Sequence, residues 1–189
     1  VMDQSGDLLA SSELVEENYR LDLLVEEGVS YQIVVVGDPE LLDFQILNQV
    51  SPDDTQLNIY GSNRSEAFYV SDPSLQCFAI DDIEYDLQSL YLPQLQFEAG
   101  AGDKLQIQGT ADSEMAFLSP NYASISGSGW RVKSSGHTSV EYDADAGQDD
   151  VTLFGSAGSD LFSSRNGIAS LSGAGYENTA ARFTTLQSK

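Results

Sequence analysis

Ala123-Ser124-Ile125-Ser126-Gly127-Ser128-Gly129-Trp130 recurs as Ala169-Ser170-Leu171-Ser172-Gly173-Ala174-Gly175-Tyr176. The offset is 46 residues, and the flanks keep it: Leu105-Gln106-Ile107-Gln108-Gly109 matches Val151-Thr152-Leu153-Phe154-Gly155. Leu57-Asn58-Ile59-Tyr60-Gly61, offset by 48, opens a worn third copy. A fixed period of this size marks a stacked array. Strands broken every few residues by Gly, Ser, Asn and Asp leave no room for useful helices. One copy cannot bury its apolar face, whereas stacked copies cover one another.

Working outward, each unit reads as an alternating strand (57–60, 105–108, 151–154) ending at Gly61, Gly109 or Gly155. A polar turn follows, then the signature phrase, then a strand through Tyr85, Trp130 or Tyr176. The unit closes on Leu95, Val140 or Leu186. The fold expectation is all-β: a parallel β-helix or β-solenoid over residues 54–189, in three ~46-residue units (57–104, 105–150, 151–189). Two coils per unit, each rising ~4.8 Å, fit that length better than one. Equivalent residues should then line up along the axis, placing Tyr85, Trp130 and Tyr176 in one row and Asp86, Arg131 and Glu177 in another.

Residues 1–53 read as a small N-terminal β-meander cap. Tyr19 to Leu24 alternates, Glu26-Glu27-Gly28 is a turn, and Val29, Tyr31, Ile33 and Val35 alternate again. Gly37-Asp38-Pro39 is a second turn, and Leu42, Phe44 and Ile46 suggest a third strand. The competing expectation is a helix from Ser12 to Val25. Asn48 to Thr55 reads as a polar linker into the array.

The chain holds 189 residues, with 30 acidic and 8 basic, for a net charge of -22. That balance disfavours nucleic acid, whose phosphates attract Lys and Arg, and anionic lipid surfaces. Cys77 is the sole cysteine, so no intrachain disulfide forms, and a buried thiol is expected. No stretch approaches the ~20 apolar residues of a membrane helix. The start, Val1-Met2-Asp3, lacks a signal-peptide pattern and reads as a processed chain or a fragment of a longer parent.

Gly155-Ser156-Ala157-Gly158-Ser159-Asp160-Leu161-Phe162-Ser163 resembles the calcium-binding nonapeptide of haemolysin-type (RTX) repeats. Gly147-Gln148-Asp149-Asp150-Val151 keeps the core of another. The longer unit looks like degenerate RTX-related repeats of large secreted or surface bacterial proteins. The resemblance implies calcium as cofactor, with Asp149, Asp150 and Asp160 as its ligands, and an extracellular or cell-surface location. Departures weaken it: Asp149 and Asp160 are eleven residues apart rather than nine, and Glu66 and Glu114 stand in the place of Asp160.

Three other constellations are candidates. Asp82, Glu84 and Asp86 alternate along a strand, ~6.5–7 Å apart, near the spacing of an inverting glycosidase pair. Alternation alone also generates an outward charged face. Tyr85, Trp130 and Tyr176 could make a sugar-binding platform or a core stack. His137, the only histidine, takes the place of Leu92 and Phe183, which favours packing over catalysis. The leading expectation is a non-enzymatic, adhesin-like spacer of a larger surface protein, with carbohydrate or other surface proteins as partners. The alternatives are a polysaccharide-acting β-helix enzyme and a carbohydrate-binding module.

Overall fold

A computed structural model of the chain describes residues 1–2, 10–15, 18–21, 23, 29, 31–35, 49–62, 64–74, 77–81, 83–87, 90 and 92–189. The chain divides into two compact units, Val1–Ile46 and Leu47–Lys189. No α-helix occurs among the described residues.

In the first unit, β1 (Glu13–Val15) and β2 (Asn18–Arg20) form an antiparallel hairpin. The hairpin occupies the stretch where a helix was the competing reading. The strand expected over Val29–Val35 is reduced to one bridge, Gln32 with Met2. Val29, Ile33, Val34 and Val35 are exposed, so the β-branched alternation there has no buried face to hold it. The expected turns at 26–28 and 37–39 and the strand at 42–46 lie outside the described residues.

The second unit is the array. It opens with β3 (Val50–Pro52), antiparallel to β4 (Leu57–Tyr60). The polar stretch expected as a linker therefore contributes an edge strand, where Pro52 is tolerated. Next come β5 (Ala67–Asp72), β6 (Cys77–Ile80), β7 (Ile83–Asp86) and β8 (Gln94–Glu98). The second copy supplies β9 (Lys104–Gln108), β10 (Met115–Ser119), β11 (Tyr122–Gly127), β12 (Trp130–Ser135) and β13 (Ser139–Asp143). The third supplies β14 (Asp150–Leu153), β15 (Leu161–Arg165), β16 (Ile168–Gly173), β17 (Tyr176–Ala181) and β18 (Thr185–Ser188).

These strands stack as a β-solenoid of about three turns, built from two eight-stranded sheets ordered β18-β14-β10-β11-β12-β8-β4-β3 and β15-β16-β17-β13-β9-β5-β6-β7. Every unit has one plan: a single strand in one sheet, a three-stranded antiparallel meander in the other, then a single strand back in the first. The two singles of one unit pair in parallel, as in β4 with β8, and singles join neighbouring units through parallel ladders, as in β5 with β9, β8 with β12 and β13 with β17.

The plan corrects the expected rows. The chain crosses between sheets twice within a unit and once more into the next. Three crossings is an odd number, so each unit begins on the sheet opposite its predecessor. The meander β5–β7 lies in one sheet, β10–β12 in the other and β15–β17 in the first again. Tyr85, Trp130 and Tyr176 therefore alternate between sheets, as do Asp86, Arg131 and Glu177. True equivalence along one sheet recurs only every second unit.

The period-2 pattern of each strand places its apolar side chains between the sheets. Leu57, Leu95, Val132, Ile125, Ala116 and Val151 form one continuous inward row across one sheet. Phe68, Leu105 and Val140 begin the facing row. Phe97 meets Phe68 and Phe78 edge-on, at centroid separations of 5.6 and 6.1 Å, and so joins the two layers.

The signature phrase is a tight hairpin. Gly127 pairs with Trp130 across Ser128-Gly129, and Gly173 with Tyr176 across Ala174-Gly175. Gly129 and Gly175 have φ of 83° and 80°. At Gly127 a Cβ would lie 2.5 Å from the Trp130 Nε1, so the indole lies flat over the glycine. That close approach is why Gly precedes an aromatic by three in both copies. The preceding turn of the third unit, Asn166-Gly167, has both φ values positive, the type I′ signature.

Candidate functional site

Carboxylates gather at the corners between sheets. After β4 the chain turns at Gly61, and Glu66 Oε2 accepts from the Ser62 N–H at 2.6 Å. After β9 it turns at Gly109, and Glu114 Oε1 accepts from the Thr110 N–H at 3.1 Å and from the Thr110 hydroxyl. After β14 it turns at Gly155, and Asp160 Oδ2 accepts from the Ser156 N–H at 2.8 Å. Each corner is a Ser or Thr followed four residues later by an acid that satisfies its free backbone donor. Glycine is required at the bend: a Cβ at Gly109 would lie 2.8 Å from Glu114 Oε2 and 3.0 Å from the Ala144 carbonyl oxygen.

A second acid from the following coil braces each of the first two corners. Asp103 Oδ1 accepts from the Glu66 N–H at 2.8 Å, and its Oδ2 from the Gly100 N–H at 2.6 Å. Asp149 Oδ1 accepts from the Glu114 N–H at 2.8 Å, while its buried Oδ2 has no hydrogen-bond partner among the described residues. Tyr142 donates to Glu114 Oε2 at 3.1 Å.

Burial pushes the Glu114 carboxyl above the usual carboxylate range; the Thr110 and Tyr142 donors oppose this, and the Asp149 charge adds to it. Burial, with the charges of Glu114 and Asp149, raises the Tyr142 phenol. At the exposed third corner, donation from the Tyr176 hydroxyl at 2.7 Å and from Ser156 lowers the Asp160 carboxyl.

His137 is buried, with Nδ1 2.9 Å from the Ser134 Oγ and Nε2 lacking a partner among the described residues. Desolvation lowers its pKa to about 4, against a weak opposing pull from the Ser119 backbone. It is a packed neutral imidazole at ordinary pH, as its alignment with Leu92 and Phe183 suggested.

The expected metal set does not converge. Asp149 precedes β14 and Asp160 follows it. Six residues of extended chain from 149 to 155 put the two corners roughly 20 Å apart. Asp150 lies between them on β14 and is exposed. No group of three or more His, Cys, Asp or Glu side chains among the described residues has metal-holding geometry.

Of the expected acidic strand, Glu84 is exposed on β7 opposite Ala79, Asp86 ends β7 opposite Cys77, and Asp82 lies outside the described residues. Trp130 and Tyr176 are buried at hairpins on opposite sheets, and Tyr85 stacks on Phe78 at 5.0 Å. The three aromatics form no common platform. What Glu84 does join is an outward row, Glu84-Ala79-Tyr69-Gln106-Glu141, running across five strands. Gln106 donates to Glu141 at 2.7 Å, and the row floors two shallow depressions of about 180 and 280 Å³.

No family model matches the chain, and no curated protein or solved structure matches it either.

Proposed function

We propose that this chain is a structural, adhesin-like spacer segment of a larger extracellular or cell-surface protein. The observation that carries the reading is the interlock. Each meander pairs with a single strand of a neighbouring unit, the middle one on both sides, and one core runs unbroken between the sheets. A pull along the array must part parallel ladders and open apolar core together, which suits a segment that holds two partners apart. The buried acids support the same reading, because Glu66, Asp103 and Asp149 each close a corner by accepting from a backbone N–H group. The net charge of -22 supports a segment that stays dispersed in water.

Single-molecule stretching between the two termini tests this. A load-bearing array gives unit-sized ruptures, each releasing roughly 150 Å of chain for ~46 residues. Smooth extension without such events refutes the spacer reading. So does cleavage of acidic or neutral polysaccharides by the purified chain.

A further inference from the structure

The far end of the array ends in two open edges, β15 in one sheet and β18 in the other. The same pair of surfaces exists inside the chain. Two units earlier, on the same sheets, β5 and β8 occupy the equivalent places, and there they are covered. β9 lies parallel to β5, with Phe68 opposite Leu105, and β12 lies parallel to β8, with Leu95 opposite Val132. Covering changes the apolar positions decisively. Phe68 and its counterpart Ala116 are 1% and 0% exposed, whereas the third counterpart, Phe162, is 43% exposed. Every residue of β15 is exposed, and Leu161 and Ile168 stand out beside Phe162.

The corner gives an independent sign of what fits. Glu66 N–H is taken by Asp103, and Glu114 N–H by Asp149. Both aspartates stand immediately ahead of a strand, in the form Asp-x-apolar: Asp103-Lys104-Leu105 and Asp149-Asp150-Val151. The carbonyls of Glu66 and Glu114 also accept from Lys104 and Asp150, at 3.0 Å each. Asp160 holds the equivalent place, and residues 161–189 contain no aspartate, Glu177 being their one acid.

We propose that the β15/β18 end is a docking face for one further five-stranded unit of this same build. It enters with an Asp-x-apolar strand parallel to β15, its aspartate accepting from the Asp160 N–H, and sets the last strand of its meander parallel to β18. The inference stands on the sheet edges and the corner, whether or not the array bears load.

The test extends the full chain. After Lys189, which takes the place of Glu98, a second copy of residues 99–145 is appended. Hydrogen exchange is then compared at 160–165 and 185–188. Docking slows these amides at least about tenfold, toward the rates of 115–119 and 139–143, and leaves 57–60 unchanged. A shorter extension carrying only a copy of residues 99–109 cannot misfold as a unit, and should slow 160–165 alone. Changing Asp103→Ala within that short copy should free the Asp160 amide again. Unchanged exchange with both extensions overturns the proposal. So does protection of β15 and β18 in the unextended chain that grows with concentration, since the occupant would then be a second copy docked end to end.

Discussion

His137 makes the folded array sensitive to acid. The imidazole is 1% exposed and its pKa falls to about 4, while in the unfolded chain it returns to about 6.5. Below 6.5 the unfolded chain takes a proton that the folded chain refuses, so stability rises with pH across this window and is flat above it. The full difference corresponds to ~3 kcal/mol, most of which is lost by pH 4.5. The carboxylates titrate too, so the effect must be isolated by comparison. His137→Phe removes the titrating group and restores the residue type found at Phe183. Urea unfolding of both proteins at pH 7.5 and 4.5 gives two changes in stability. The wild type should lose roughly 2–3 kcal/mol more than the variant on acidification, whatever the variant's baseline cost. Equal losses in the two proteins would refute a buried neutral His137.

Glu114→Gln should stabilise the fold at pH 7, because the native carboxyl is raised by burial and bears its desolvation cost when ionised; the advantage should shrink as acid protonates the native Glu114, read by thermal melts at pH 7 and 4. Gly136→Ala forces a Cβ into the Ala99 carbonyl at φ 85° and should cost ~3 kcal/mol, whereas Gly129→Ala, at φ 83° with open space around it, should cost ~1 kcal/mol in the same unfolding assay. Asp149→Asn and Asp160→Asn hold separate corners, so their effects on stability should add; coupling between them in a double-mutant cycle, with or without calcium, would mean the two carboxylates share a site.

The recurrence of Ala-Ser-Ile/Leu-Ser-Gly-x-Gly-aromatic was enough to read a stacked β array, because a tight hairpin needs Gly at its turn and Gly beneath its aromatic. The alternation of units between sheets was not legible. It depends on the parity of crossings, and nothing in a strand such as Leu105–Gln108 states which sheet it will join. The corner acids left a signal that went unread. Ser62/Glu66, Thr110/Glu114 and Ser156/Asp160 share a four-residue spacing, which marks these acids as corner acceptors, whereas the nonapeptide resemblance points to Asp149, Asp150 and Asp160 as metal ligands. Periodicity also overstated residues 29–35, where Val29, Ile33, Val34 and Val35 are exposed and Gln32 makes a single bridge among the described residues.

The central claim is that consecutive units exchange sheets. Spin labels at positions 131 and 177, in a Cys77→Ser background, measure it by pulsed dipolar spectroscopy. Both residues are exposed at equivalent places of successive units, on β12 and β17. With the sheets ~10 Å apart and the two labels pointing outward on opposite faces, the account gives a separation of about 20 Å or more. A separation within about 10 Å would place the units in line on one face and contradict it.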